Sequence, residues 1–428
     1  MNASGLHNRK VNVFVVTLWG IALAGSGCAS RPDSEVVFWA LGVEGEQVAK
    51  LIPAFEQRNP GVLVRVQMIP WNAAHEKLLT AYASNSLPDL FQIGNTWVPE
   101  FQMLDALENL NPWLARSSTL RETSYFRGIW NTNVIDSSLY GVPWYVDTKV
   151  LFYRKDLLAA AGYLRPPETW NEWFDVCRKI VDRRIAEYGV FFSTNNEWVP
   201  QVVLALQNGS ALLKENNMYG DFSDPRFRDA MHTFQRFFTE GLAPVKTAQV
   251  VNIYQGMKDR AFAMFISGPW SIGEFQKRMP DSLKDFWMTA PLPGPDLDMR
   301  ISLAGGASLA ISRTSSRKTK VWKLIEYLSE PDVQAEFYRV TGDLPARIEA
   351  WNSPLLANNR YAAAFFEQLT RVVATPKIPE WEQIAQKVRE LTELITMGTM
   401  SVDNATAELD RAVNLILEKR RWMAAHAH

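Results

Sequence analysis

Two α/β lobes are predicted, and three observations predict them. The chain has 428 residues, more than the roughly 250–300 that one hydrophobic core serves. Between residues 36 and 93, apolar strand-like runs alternate with helical patterns, which implies parallel βαβ units with right-handed crossovers. From Val150 the same alternation appears again. Two α/β lobes fit this arrangement better than one large sheet.

The first segment reads as an address. A polar start carrying Arg9 and Lys10 leads into an apolar run over residues 11–25 and then Gly25-Ser26-Gly27-Cys28. A basic region, a short apolar run and small residues at the cut describe a secretory signal. The run is shorter than the roughly 20 residues a membrane span needs. Small residues directly before a cysteine resemble the bacterial lipobox, with Gly25 standing where Leu is usual. The expectation is a signal over 1–27 and lipidation of Cys28 as the mature N-terminus. Its removal takes Arg9 and Lys10 and no acid, so the net charge moves from −1 to −3.

Residues 36–40 then read as a strand, followed by a loop containing Gly42, Glu44 and Gly45. A helical pattern on Val48, Leu51, Ile52 and Phe55 ends at Asn59-Pro60-Gly61, a turn that cannot continue a helix. Next come a strand over 62–69, a helix through Leu78, Leu79 and Tyr82, and a strand over 90–93. Residues 150–153 are strand-like, and Thr169 after Pro166-Pro167 is a good N-cap for a helix over 170–184. Residues 189–193 form another strand, Asp224-Pro225 opens a helix to about residue 240, and 261–266 is a strand ending at Ser267-Gly268-Pro269-Trp270. A small-residue strand over 302–311 precedes a largely helical last third, closing with 402–421. No internal repeat or low-complexity tract interrupts this order.

Composition excludes several classes. With 45 Lys+Arg against 46 Asp+Glu, no basic field for nucleic acid exists. Two cysteines exclude a disulfide scaffold and a Cys-rich metal site. If Cys28 is lipidated, Cys177 has no partner; it lies on the apolar stripe Trp170, Trp173, Phe174, Cys177, Ile180, Val181 and reads as core. Phosphate-loop, nucleophile-elbow, dinucleotide and H-E-x-x-H signatures are all missing, since His75-Glu76 lacks a second histidine. A glycosidase carboxylate pair cannot be nominated from spacing. The sequence therefore favours binding over catalysis, with no cofactor and no metal. What stands out is aromatic: 16 Trp among 50 aromatic residues.

Several stretches together resemble the bacterial family 1 extracellular solute-binding proteins, the sugar receptors of ABC importers related to maltose-binding protein. They include Leu139-Tyr140-Gly141-Val142-Pro143-Trp144-Tyr145-Val146-Asp147, Pro166-Pro167-Glu168-Thr169-Trp170-Asn171-Glu172-Trp173, and Ala261-Phe262-Ala263-Met264-Phe265-Ile266-Ser267-Gly268-Pro269-Trp270. Gly305-Gly306-Ala307-Ser308, Tyr327-Leu328-Ser329-Glu330-Pro331 and Leu344-Pro345-Ala346-Arg347 follow in the same order. The resemblance implies a two-lobed periplasmic-binding-protein-like α/β fold of type II, with three interlobe crossings near 141–148, 300–304 and 342–347. The N-terminal lobe would comprise 28–145 plus 304–345, and the C-terminal lobe 146–303 plus 346–428. A cleft between the lobes would close on ligand.

It also implies a saccharide ligand, a partner ABC permease, a membrane-anchored monomer on the periplasmic or extracellular face, and no nucleic acid. A sugar offers an apolar C–H face to an aromatic ring and a rim of hydroxyls to carboxylates and amides. On that chemistry the expected contacts are Glu44, Asn95, Thr96, Trp97, Trp144, Tyr145, the close-approach glycines Gly305 and Gly306, and Arg347, and the resemblance adds Asp147, Trp270 and Trp381 at positions that contact sugar in the family. Trp39, Trp170, Trp173, Trp287 and Trp322 are expected to pack. A maltose- or trehalose-type sugar is the ligand expected. The alternatives are a same-fold receptor for a non-sugar solute and an extracytoplasmic glycosidase.

Overall fold

The computed structural model describes residues 34–193, 197–245 and 252–426. The expected signal segment and lipid site, residues 1–27 and Cys28, lie outside them.

The inner strands of two main sheets are buried on both faces, which is why the sequence shows them as nearly continuous apolar runs, while the edge strand Leu63–Ile69 is partly exposed. The larger has six strands in the spatial order Leu344–Pro345, Val142–Asp147, Gly305–Ile311, Leu90–Gly94, Glu35–Leu41, Leu63–Ile69. The smaller has four, in the order Trp287–Ala290, Val150–Arg154, Phe262–Ser267, Tyr188–Phe191. The period-2 alternation of a strand sends Val150 and Phe152 into one apolar cluster and Leu151 and Tyr153 into another.

The chain leaves the larger sheet at Asp147 and enters the smaller at Val150, through Thr148 and Lys149 alone. It returns between Ala290 and Gly305, and after Pro345 it leaves again for the helix Ala363–Leu369, which packs on Trp287–Ala290 and Val150–Arg154. This is a two-lobed α/β fold with three crossings. Two crossings lie side by side: the Thr148 hydroxyl donates to the Leu303 carbonyl at 2.9 Å, and the Ser302 hydroxyl to the Lys149 carbonyl at 3.1 Å.

Strand direction records these crossings. Glu35–Leu41 is parallel to Leu63–Ile69 and to Leu90–Gly94, as βαβ units require. Gly305–Ile311 is antiparallel to both neighbours, because it re-enters the sheet from the other lobe. Val150–Arg154 is likewise antiparallel to both of its neighbours. The sheets are therefore mixed, where sequence alternation alone implied parallel ones.

Local chemistry explains some boundaries. The Thr169 hydroxyl accepts from the Glu172 amide at 3.3 Å and caps the helix Trp170–Asp182. Asp224 accepts from the Arg226 amide at 2.9 Å at the start of Pro225–Thr239. Cys177 is fully buried, and burial pushes its thiol well above the usual range.

Three expectations are corrected. The predicted loop at Gly42, Glu44 and Gly45 is a helix, Gly42–Val48, and the following pattern forms a separate helix, Ile52–Arg58. Gly45 permits the first helix to lie on its own strand, since a Cβ there would stand 2.7 Å from the Ala40 carbonyl. The predicted strand over 302–311 is broken at Ala304: Ser302–Leu303 pairs with Val372–Val373 instead of joining the larger sheet. The final helix divides into Val402–Ile416 and Glu418–Ala425 about the buried Leu417.

Candidate ligand-binding cleft

A cleft of about 550 Å³ opens where the crossings meet. Three successive strand ends of the larger sheet supply one wall. Glu44 stands on the helix after Glu35–Leu41, Trp71 opens the helix Trp71–Ala83 after Leu63–Ile69, and Asn95, Thr96 and Trp97 form a single 3-10 turn after Leu90–Gly94. Ligands of open α/β sheets sit beyond such carboxyl ends. From the smaller sheet, Phe262–Ser267 delivers Trp270 three residues beyond its end, and Trp198 caps the helix Val199–Gln207.

Backbone geometry fixes two of these positions. Gly42 has φ +50°, and a Cβ there would come within 2.5 Å of Trp71 Cδ1 and 3.0 Å of Glu44 Oε2. Gly306 has φ +115°, and its Cβ would lie 2.3 Å from the Tyr145 carbonyl. A side chain at either site would displace the aromatic or the strand it abuts.

Glu44 is the hub of the polar wall. Tyr145 donates its hydroxyl to Glu44 Oε1 at 2.9 Å, and the Trp71 indole N–H lies 3.3 Å from both Glu44 oxygens. Gln92 Nε2 donates to the Tyr145 hydroxyl at 3.1 Å, while Gln92 Oε1 accepts from the Leu41 amide at 2.7 Å. The relay ties the side-chain wall to the first strand. Burial, with the Glu44 charge second, raises the Tyr145 phenol well above its ordinary range.

Acids outnumber cations here. Asp147 has its carboxyl raised by burial and partly lowered again by Lys149, whose Nζ stands 4.0 Å from Asp147 Oδ2 and 3.9 Å from Glu197 Oε2. Burial and the Glu44 charge push Asp343 up to about 7. Thr96 Oγ1 donates to Glu382 Oε1 across the cleft. Behind Trp97, the His75 ring lies 5.0 Å away and its Nε2 is 2.6 Å from Glu100 Oε2, a hydrogen bond that raises the imidazole pKa.

Two buried polar atoms on this wall have no protein partner: Asn95 Nδ2, a donor, and Asp147 Oδ1, an acceptor. Leaving such groups unpaired costs about 1–3 kcal/mol each. A hydroxyl, which both donates and accepts, satisfies either one.

Glu44, Asn95, Thr96, Trp97, Tyr145, Asp147, Trp270, Gly305 and Gly306 thus come together at the cleft. Trp144, Arg347 and Trp381 stand elsewhere. Strand alternation turns Trp144 away from the face that carries Tyr145, and it stacks on Phe337 at 4.4 Å. Arg347 is buried; its Nη1 donates to the Thr119 and Ser329 carbonyls at 3.1 and 3.2 Å and its Nε to Glu349 at 3.1 Å, bonds that hold it in the scaffold away from the cleft. Trp381 is fully buried and meets Trp198 edge-on at 5.5 Å, backing that residue instead of facing ligand. Trp71, Trp198, Lys149, Asp343 and Glu382 line the cleft without having been expected there. Trp71 was within reach of the rule that selected Trp97 and Trp270, an aromatic in the first turn after a strand. Trp198 carries no comparable local signal.

The family model described as bacterial extracellular solute-binding protein matches residues 39–335. The chain belongs to that family. Among solved structures, this solute-binding protein is similar to the sugar-binding protein MalE of Xanthomonas citri, with 47% identity and a TM-score of 0.88 over 91% of this chain and 99% of that one. It is 25% identical to the diacetylchitobiose binding protein DasA of Streptomyces coelicolor, over 81% of this chain and 80% of the relative. It is 24% identical to the galactooligosaccharide-binding protein of Bacillus subtilis, with 87% of each covered.

Proposed function

We propose that this solute-binding protein is the extracytoplasmic receptor of an ABC importer for a neutral di- or oligosaccharide, which it delivers to the permease by hinge closure. The observation that carries the reading is one cleft holding four tryptophans, Trp71, Trp97, Trp198 and Trp270, around Glu44, Asp147 and an unpaired Asn95 amide. Rings at several points suit more than one sugar unit, and the interleaved acids and amide suit hydroxyl rims. The names of the Xanthomonas, Streptomyces and Bacillus relatives point the same way. A maltose- or trehalose-type disaccharide is the ligand we favour, and lipidation of Cys28 would hold the receptor near its permease at raised effective concentration.

Calorimetry of purified protein against a panel of disaccharides and short oligosaccharides tests the reading. Saturable binding of at least one, with no turnover of it, is expected. A panel with no heat and no thermal stabilisation removes the proposal.

A further inference from the structure

Trp270 is the most exposed of the cleft tryptophans, with 51% of its surface open, yet its ring is not free. The six-membered ring packs against Gly268, where a Cβ would stand 2.1 Å from Cζ3 and 2.3 Å from Cη2. Over the ring, the Lys149 ammonium lies 4.2 Å from the centroid. That is a cation–π contact, and it occupies the place in which a sugar's C–H face would stack. Lys149 belongs to the two-residue crossing between the sheets. Its ammonium is also within 4.0 Å of the cleft residue Asp147 and of Glu197.

We propose that Lys149 sets the selectivity of the Trp270 platform: a ring that stacks on Trp270 must displace the ammonium, which then pairs fully with Asp147 and Glu197. The 4.0 and 3.9 Å separations are too long for direct hydrogen bonds, so both carboxylates retain capacity for the displaced charge. The arrangement penalises ligands that cover Trp270 poorly, because they give up the cation–π contact without replacing it. Ligands with a broad apolar face replace it and gain. Lys149 is thus a specificity-determining residue competing with ligand, not a hydrogen-bond donor to it. The inference rests on the saccharide reading above.

The test is calorimetry with the tightest-binding sugar from the panel, on wild type, Lys149→Met and Lys149→Arg, in one buffer at pH 8. Met keeps the apolar stem and removes the competing charge; Arg keeps a cation that stacks at least as well. Lys149→Met is expected to bind about 2- to 5-fold more tightly, the range a cation–π contact on an exposed ring represents. Lys149→Arg should bind no more tightly than wild type. In a Trp270→Leu background the gain from Lys149→Met should vanish. Unchanged or weaker binding by a folded Lys149→Met protein overturns the proposal, as does a gain that persists without Trp270. Wild type that binds no sugar sinks the saccharide reading instead, so the two failures are distinguishable.

Discussion

Asp343 offers the sharpest test of the cleft's electrostatics. Its carboxyl is moved from an ordinary 3.8 to about 7, first by burial and then by the Glu44 charge, with the Thr341 side chain opposing. An acid whose folded pKa is raised binds its proton more tightly in the folded state. The folded protein is therefore favoured below about pH 4, and this contribution is lost as pH rises through 7. A displacement of that size corresponds to about 4 kcal/mol. That figure is a ceiling, because the carboxyl lines a cleft open to water, which screens it, and about 1–2 kcal/mol is the working expectation. Asp343→Asn carries no charge at any pH. The variant should match wild type near pH 4 and exceed it by about 1–2 kcal/mol at pH 8, with the gap opening between. Urea midpoints at pH 4, 6 and 8, with m-values held constant, measure it. A gap independent of pH, or a wild type more stable at pH 8, would refute the account of Asp343 as a buried acid in a negative field.

Other outcomes follow from the same geometry. Trp270→Ala should weaken sugar binding by about 1–2 kcal/mol while leaving the melting temperature nearly unchanged, because the ring is half exposed; calorimetry and thermal unfolding together check both halves. Gly189→Ala should destabilise by about 1–3 kcal/mol, since a Cβ there would stand 2.5 Å from Cys177 Cβ; denaturant titration reads it. Thr169→Ala removes the cap on Trp170–Asp182 and should cost about 1 kcal/mol, with Thr169→Ser restoring most of it. Cys177 should resist thiol reagents in native buffer and react only on unfolding, which a timed labelling experiment measures.

How much of this was legible in the sequence depends on the range of the physics involved. Short-range rules found Thr169, Asp224 and the buried stripe around Cys177, because caps and helical periodicity are written in neighbouring residues. They also found Trp97 and Trp270, since an aromatic just past a strand end faces a cleft by construction. The rule stops where tertiary packing chooses between two sides of one strand. Trp144 and Tyr145 are adjacent, similarly aromatic and both in Val142–Asp147, yet only Tyr145 reaches Glu44, while Trp144 turns to Phe337. The local sequence gives either phase; the six-stranded neighbourhood decides it.

Arg347 shows the same limit from the side of charge. A guanidinium near a predicted crossing reads as a ligand contact until the two carbonyls that claim it, Thr119 and Ser329, are brought in from distant parts of the chain. Lys149 is the converse case. Nothing in Thr148-Lys149-Val150 marks the lysine, and its significance arises only because the helix that follows a different strand carries Trp270 beneath it. Residues that bind through their own chemistry can be guessed from sequence. Residues that act by competing for another side chain have to be seen beside it, so a selectivity device of the Lys149 kind is invisible until the fold is in hand.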